Sequence, residues 1–226
     1  MEYLPVNLNV KNKPCLVVGG GEVGERKVRN LLQCGALVRL ISRELTQSLS
    51  DLAEAGQVKF LDREYHKKYL EGIALAFVCT DDSELNTRVS LDAKERGIWI
   101  NVADKPDLCS FILPATVSRG DLTISVSTSG GSPALAARIR ARLEKEFGPE
   151  YEFFLDLMRL VRARFKAEDR PVEQNREIFM RLIESDLLET MSEFDLDRAE
   201  EILIEILGPG YTLSALGFKV EGREEA

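Results

Sequence analysis

The chain has 226 residues, of which 44% are hydrophobic and 30% charged, which is typical of a folded globular protein rather than a disordered one. Its formal net charge of −8 argues against a nucleic-acid partner, and no apolar run approaches the roughly 20 residues that span a membrane. The first ten residues contain neither a basic nor an apolar segment, so we expect no signal peptide and a cytoplasmic location with reduced cysteines.

The first half of the chain alternates between predicted strands and predicted helices. An apolar run at residues 14–19 leads into glycines, as a buried parallel strand does, and apolar residues at helical spacing follow it. Further helices are predicted after the second and fourth strands, the latter capped by Asp82 or Ser83. The remaining predicted strands are residues 37–42, 58–62, 73–80 and 98–103. This alternation predicts an α/β fold with a Rossmann-like parallel sheet.

The pattern changes after residue 113. Two short extended segments are followed by a glycine-rich loop and then by a helix with Ser132 as N-cap and Pro133 at its first position. From residue 148 only helices are predicted, at residues 152–165, 176–191 and 195–207. We therefore divide the chain into a nucleotide-binding domain (1–113), a small α+β segment (114–147) and a helical C-terminal domain (148–226). The last seven residues, VEGREEA, are expected to form a frayed tail.

A glycine motif follows the first predicted strand. Gly19, Gly21 and Gly24 form the GxGxxG pattern, whose glycines serve a tight turn, close approach of the backbone to a diphosphate, and tight packing of helix on strand. The helix that begins there offers unpaired N–H groups to the phosphates. We expect these glycines, with Glu22 and Val23 on the same loop, to bind the cofactor, although the Glu22 side chain is itself expected to be solvated.

The acidic residue that usually binds the ribose about 20 residues further on is not obvious in this chain. Ser42, Arg43 and Glu44 stand at the end of the second strand. Glu44 could bind the ribose if the strand ends late, Ser42 could do so more weakly, and Arg43 could instead face a 2′-phosphate. The motif alone does not decide between NAD and NADP.

Polar residues also follow two other strands at the edge where open α/β sheets bind ligands. Thr80 and Asp81 follow the fourth strand, Val102 ends the fifth, and these three are expected to border the cofactor. Asp104 comes next, before Lys105-Pro106. On the sequence alone a turn-forming role for Asp104 is slightly favoured over a catalytic one.

A second ligand site is predicted where the glycine-rich loop enters its helix. Hydroxyls, glycine amides and a helix N-terminus together can bind an anion, and the alternative is an ordinary N-cap with a solvated, arginine-rich helix. Arg138 and Arg142 share one face of this helix, whereas Arg140 points elsewhere. The loop residues of the predicted site are Thr128, Ser129, Gly130, Gly131 and Ser132. With one histidine and no CxxC pair, no permanent metal site is predicted.

Several segments, in this order, resemble the N-terminal modules of siroheme synthases, a family that includes precorrin-2 dehydrogenases and bifunctional dehydrogenase–ferrochelatases. They are VVGGGEVGERKVRNLL, the TDD triplet with Asn86 after it, NVADKPDLCSFILPA and ISVSTSGGSPALAARIRARLE. The resemblance covers residues 1 to about 147 and continues loosely into the helical region. It implies NAD-dependent oxidation of precorrin-2 to sirohydrochlorin, and in bifunctional members insertion of Fe²⁺ as a substrate to give siroheme.

The resemblance also implies a homodimer in which residues 114–147 form the subunit contact. The aspartate essential to the family corresponds to Asp104, which reverses the preference for a turn residue there. A position that is serine in some members corresponds to Thr128. Physical chemistry agrees, because an acidic protein needs a local cationic patch to bind a polycarboxylate substrate, and a carboxylate can accept the proton that leaves with the hydride.

Two alternatives remain open at this stage. The first is a dehydrogenase without chelatase activity, since both reactions would use Asp104. The second, from another class, is a nucleotide-sensing regulatory module, which would not need the DKPD and GGSP segments. A methyltransferase activity is not expected, because siroheme synthases that have one carry it on a further C-terminal domain.

Overall fold

The computed structural model describes residues 3–219, without the side chain of Val172. The chain divides into two units, Met1–Leu113 and Pro114–Ala226. The predicted frayed tail at residues 220–226 lies outside the described residues. The separation of the second unit into a small α+β segment (114–147) and a helical domain (148–226) stays a prediction.

The first unit is a parallel sheet with helices on both faces. Its strands run in the spatial order β3-β2-β1-β4-β5, and every pairing is parallel. The strands are β1 (Pro14–Gly20), β2 (Leu37–Leu45), β3 (Lys59–Asp62), β4 (Leu75–Val78) and β5 (Trp99–Val102), and the helices are α1 (Glu22–Gln33), α2 (Gln47–Glu54) and α3 (Ser83–Glu95). The predicted Rossmann-like fold is confirmed.

The alternation of side chains along β1 explains the two hydrophobic layers of this unit. Cys15 and Val17 face one side of the sheet and pack with α1 and α2. Leu16 and Val18 face the other side and pack with α3. Successive residues of a strand point to opposite faces, so a continuous apolar strand is buried on both.

The second strand is longer than predicted. It extends to Leu45 rather than ending at residue 42, because a bulge shifts the register and brings Leu45 opposite Gly20. Thr46 then caps α2, accepting a hydrogen bond from the Leu49 N–H at 3.3 Å, and its own N–H donates to the Gly20 carbonyl at 3.0 Å. The glycine loop is thereby bound to the junction between β2 and α2.

The second unit begins with a two-stranded antiparallel sheet, β6 (Ala115–Arg119) and β7 (Leu122–Val126), followed by α4 (Pro133–Glu146). Ser132 caps α4 as predicted, accepting a hydrogen bond from the Leu135 N–H at 3.3 Å. The later helices are α5 (Glu150–Ala167), α6 (Val172–Glu184), α7 (Leu187–Ser192), α8 (Leu196–Leu207) and α9 (Leu213–Leu216). No helix within residues 3–219 is long and apolar enough to cross a membrane.

One predicted helix of the second unit is wrong. The apolar spacing predicts a single helix over residues 176–191, but the structure has α6 and α7 separated at Ser185, whose backbone is extended (ψ 169°). The Ser185 hydroxyl donates to the Leu182 carbonyl at 2.8 Å and accepts from the Leu187 N–H at 3.3 Å. A side chain that bonds the backbone locally competes with the helix, and this ends α6 there.

Candidate functional site

Two glycines of the GxGxxG loop are required by the fold itself. Gly19 has φ +109°, and a Cβ at this position would lie 2.3 Å from the Cys79 carbonyl oxygen at the end of β4. A Cβ at Gly24 would lie 2.0 Å from the Gly19 carbonyl oxygen. Because both obstacles are backbone atoms, larger residues would push α1 away from the sheet.

At position 21, by contrast, the fold does not require a glycine. Its φ of −78° is ordinary, and a Cβ there would meet no atom within 4 Å. It is the N-cap of α1 and makes no side-chain cap bond, so the first N–H groups of the helix are open to a ligand. The open space beside Gly21 therefore fits the diphosphate of a dinucleotide.

Of the three candidate residues at the end of β2, Ser42 forms hydrogen bonds within the protein, whereas Arg43 and Glu44 are exposed. The Ser42 hydroxyl accepts a hydrogen bond from the Gly20 N–H at 2.9 Å and donates to the Glu44 carbonyl at 2.6 Å. Its observed function is therefore to hold the glycine loop against β2. The Arg43 and Glu44 side chains are exposed, as are Glu22 and Val23 on the loop itself. Which of them contacts the ribose stays a prediction.

The loop after β4 is held by a buried amide that the sequence analysis did not interpret. Asn86, only 3% exposed, donates to the Thr80 carbonyl at 2.8 Å and accepts from the Thr80 hydroxyl at 2.6 Å. Asp82 caps α3, accepting from the Leu85 N–H at 2.9 Å, and Asp81 is exposed. The Thr80 hydroxyl is thus bonded inside the loop, and the loop can offer a ligand its backbone and the Asp81 side chain.

Asp104 borders a cleft at the carboxyl end of β5. Its backbone is left-handed, with φ 57°, a conformation that Asp and Asn adopt more readily than most residues. Its side chain is exposed, and no residue in the described part of the chain forms a hydrogen bond or ion pair with it. The cleft has a volume of about 300 Å³ and is lined by Val23, Arg26, Lys27, Asn101, Val102, Ala103, Asp104, Lys105, Pro106, Cys109, Ile112 and Leu113.

The chain that follows Asp104 is bound back onto β5. The Cys109 thiol accepts a hydrogen bond from the Val102 N–H at 3.1 Å, and the Asn101 amide donates to the Phe111 carbonyl at 3.0 Å. Ser90, fully buried in α3, donates to the Leu108 carbonyl at 2.7 Å. These bonds fix the turn that carries Asp104. The Val102 side chain packs in the hydrophobic core and is 2% exposed, so it offers a cofactor little surface.

A lysine on α1 enters the same cleft, and the sequence analysis missed it. The Lys27 ammonium lies 5.8 Å from the centre of the Phe77 ring. Burial lowers the pKa of Lys27, the neighbouring charge of Arg26 lowers it further, and Cys79, Asp104 and Cys109 act in the opposite sense. The sequence could have indicated this position, because Lys27 follows Gly24 by three residues and therefore lies one turn further along α1 on the same face.

The predicted anion loop belongs to the second unit. The Thr128 hydroxyl accepts a hydrogen bond from the Ser132 N–H at 3.0 Å, and the Thr128 carbonyl accepts from the Gly131 N–H at 2.8 Å. Ser129 and Gly130 both have positive φ, at 50° and 84°. Thr128 therefore holds the loop in shape, which is the function that the structure assigns to its hydroxyl.

The arginines of α4 differ in their partners. Arg140 is paired with Glu144 at 2.5 Å. Arg138 and Arg142 are exposed, and neither pairs with a carboxylate among residues 3–219. Arg138 and Arg142, which the sequence predicts to share one face of α4, are thus the arginines whose charge is available to an anion.

Comparisons with known proteins agree with this architecture. Residues 6–115 match the family model described as putative NAD(P)-binding, and residues 119–146 match that of the sirohaem biosynthesis protein central region. Siroheme synthases of Stutzerimonas stutzeri (strain A1501) and Azotobacter vinelandii (strain DJ / ATCC BAA-1303) are 39% and 37% identical, over 96% and 90% of this chain. The chain spans 46% and 44% of the length of these relatives.

A solved structure shares the fold. It is described as SirC, precorrin-2 dehydrogenase, and superimposes with a TM-score of 0.73, covering 90% of this chain and 98% of that one. Sequence identity between the two is 23%. The similarity covers the helices of the second unit as well as the parallel sheet of the first.

Proposed function

Because the chain is 39% identical to a siroheme synthase over 96% of its length and matches the sirohaem central-region model, we propose that it oxidises precorrin-2 to sirohydrochlorin with NAD⁺ as the acceptor. The observation that carries this proposal is that one edge of the first unit combines a nucleotide loop with an unpaired carboxylate, Asp104, on a cleft. Open α/β sheets bind their ligands at this edge. A nucleotide-sensing module would need the loop but not the carboxylate.

The residues of the first unit would hold the cofactor in an ordinary Rossmann manner. The N–H groups at the start of α1, beside Gly21, would bind the diphosphate. The backbone of the Thr80–Asp81 loop would border the part of the cofactor that lies beyond the diphosphate. When bound, the nicotinamide supplies the acceptor for a hydride. Asp104 would accept the proton that the substrate loses with that hydride, as a general base must lie beside the reacting carbon.

We propose that the second unit helps to bind the substrate. The substrate is a polycarboxylate, and Arg138 and Arg142 present unpaired guanidinium groups whose forked donors suit carboxylates. The loop residues Ser129, Gly130 and Gly131 would add backbone and hydroxyl donors. Thr128 and Ser132 would act indirectly, by holding that loop.

A second candidate activity is insertion of Fe²⁺, as a substrate, into sirohydrochlorin. Asp104 supports it because an exposed carboxylate can accept pyrrole protons and offer oxygen to a fairly hard cation. The same residue would then serve both reactions, and the remaining alternative is a dehydrogenase without the chelatase step. We place the reaction in the cytoplasm, in keeping with four free thiols in the described structure.

Turnover of precorrin-2 tests the function directly. Purified protein with precorrin-2 and NAD⁺ is expected to produce the absorption spectrum of sirohydrochlorin, and adding Fe²⁺ or Co²⁺ should convert it to the metallated form if the second activity is present. The regulatory-module alternative predicts NAD⁺ binding without turnover. That result would overturn the proposal.

The cofactor is expected to be NAD⁺ rather than NADP⁺, so calorimetric titration should give the tighter affinity for NAD⁺. The family resemblance favours NAD⁺, whereas exposed Arg43 could attract a 2′-phosphate. Arg43→Ala provides the matched variant, and it should leave NAD⁺ affinity unchanged. Equal affinities in the wild type, or tighter NADP⁺, would contradict the assignment.

We propose a homodimer through residues 114–147. A two-stranded sheet leaves both edges unpaired, and α4 exposes Leu135 (50%) and Ile139 (37%) one turn apart. Light scattering at micromolar concentration should give the dimer mass, and Leu135→Glu with Ile139→Glu should shift it toward the monomer. The control pair, Met180→Glu with Ile183→Glu on α6, removes apolar residues that are at least as exposed on average (46% and 56%) and should leave the dimer intact. A monomeric wild type would refute this.

A further inference from the structure

Lys27 occupies an unusual electrostatic position in the Asp104 cleft. Its ammonium is partly buried over the Phe77 ring, which is packed edge-on against Phe111 with 5.7 Å between ring centres. Within residues 3–219 the ammonium has no hydrogen-bond acceptor and no ion-pair partner. A charge that loses water without gaining a hydrogen bond or an ion pair is costly, so the donors of this ammonium are available to a group that the polypeptide does not supply.

The groups around Lys27 do not neutralise it. Burial raises the pKa of the Cys79 thiol to about 11, so this thiol is uncharged near neutral pH. Arg26 adds a second positive charge on the same helix and lines the same cleft. Asp104 attracts Lys27 but forms no hydrogen bond or ion pair with it in the described chain. The inner wall of the cleft is therefore positive and favours an anion.

We propose that Lys27 binds a carboxylate side chain of the substrate next to the carbon that is oxidised. The inference rests on the proposed function, since it takes the substrate to be a polycarboxylate tetrapyrrole. Lys27 and Asp104 line one cleft, so a ring whose reacting carbon lies beside Asp104 brings its own carboxylates within reach of the ammonium. A charge-assisted hydrogen bond there would fix which part of the ring faces the base.

The cofactor is a poorer partner for this lysine. The diphosphate is expected at the first turn of α1, beside Gly21, whereas Lys27 lies on the second turn and faces β4. The oxidised nicotinamide ring is itself cationic and would be repelled by an ammonium. A carboxylate of the substrate satisfies Lys27 and also screens that repulsion, so the substrate and NAD⁺ would favour each other's binding.

Lys27→Met tests the assignment, because methionine keeps the length of the stem and removes the charge. We expect sirohydrochlorin affinity, followed by its absorption or fluorescence, to fall about tenfold or more, which is the scale for losing a hydrogen bond to a charged group. NAD⁺ affinity should stay the same or rise, because the substitution removes the charge that repels the nicotinamide, and in turnover the KM should rise more than kcat falls. Lys27→Arg should restore most of the affinity.

The control is Lys59→Met, which removes an exposed lysine from β3, at the opposite edge of the sheet from the cleft. It should bind sirohydrochlorin as the wild type does. Folding gives an independent readout: because burial lowers the pKa of Lys27, its charge opposes folding at every pH below the unfolded-state pKa. Lys27→Met should therefore melt at the same temperature as the wild type or higher.

The outcomes separate the two proposals. If wild-type protein binds NAD⁺ but not sirohydrochlorin, the proposed function fails. If the wild type binds both and Lys27→Met binds sirohydrochlorin equally well, only the assignment of Lys27 fails. A variant that loses NAD⁺ affinity instead, or that melts lower with unchanged binding, would likewise overturn it, by making Lys27 a cofactor-binding or a structural residue.

Discussion

Asp104→Asn is expected to lower kcat for precorrin-2 oxidation about a hundredfold or more, the scale for removing a general base. The amide has the same shape as the carboxylate but does not accept the proton that leaves with the hydride. NAD⁺ and sirohydrochlorin should still bind, so the affinities measured by titration should stay close to those of the wild type. If Fe²⁺ insertion is present, it should fall with the same substitution.

Asparagine is the appropriate replacement because of the backbone at this position. Asp104 has φ 57°, and Asn tolerates the left-handed conformation about as well as Asp does. Asp104→Ala would add strain of about 1 kcal/mol or more, so lost activity in that variant would confound chemistry with folding. Near-normal turnover in a well-folded Asp104→Asn protein would make Asp104 a turn residue, the role that the sequence alone slightly favoured.

Gly21→Asp is expected to abolish binding of both NAD⁺ and NADP⁺ without unfolding the protein. The position has ordinary φ and open space, and Asp is a favoured N-cap, so α1 should be as stable as before or more so. The new carboxylate would stand where the diphosphate approaches. Two unit charges about 4 Å apart near a protein surface repel by about 4 kcal/mol, which exceeds a hundredfold in affinity.

Two further glycine-loop variants serve as controls. Gly21→Asn has nearly the same size without the charge, and it should retain more affinity than Gly21→Asp. Gly24→Ala should behave in the opposite way, because its Cβ would lie 2.0 Å from the Gly19 carbonyl oxygen. We expect it to lower the free energy of unfolding by about 1–3 kcal/mol, as overpacking does, and thermal melting measures this loss.

The outcome that contradicts the prediction is unchanged cofactor affinity in a folded Gly21→Asp protein. That result would show that the nucleotide does not bind at this loop.

The secondary-structure pattern of the first unit was readable from the sequence because it depends on local periodicity. Continuous apolar runs such as residues 14–19 identify strands buried on both faces, and glycines after them mark where the chain must turn. The cap at Ser132 is equally local, since it depends on a hydroxyl and a proline at adjacent positions. Where a local bond competed with the periodic signal, as at Ser185, the sequence prediction failed.

The arrangement of the site required the tertiary structure. The extension of β2 to Leu45 depends on a bulge between two strands, and the burial of Asn86 depends on the loop folding back onto it. Lys27 belongs to the Asp104 cleft only because α1 packs beside β4 and the carboxyl ends of β1, β4 and β5 meet at one edge. Such contacts join residues far apart in the chain, and no local pattern encodes them.

The sequence by itself thus determined the elements, the nucleotide loop and the type of residue at each candidate position, because these follow from short-range spacing and the chemistry of single side chains. The tertiary structure decided which of those side chains are available. The hydroxyls of Ser42 and Thr128 form hydrogen bonds that hold loops, whereas the side chains of Asp104 and Lys27 have no hydrogen-bond or ion-pair partner in the described chain. Availability depends on what surrounds a group in space, and only the closed fold brings those surroundings together.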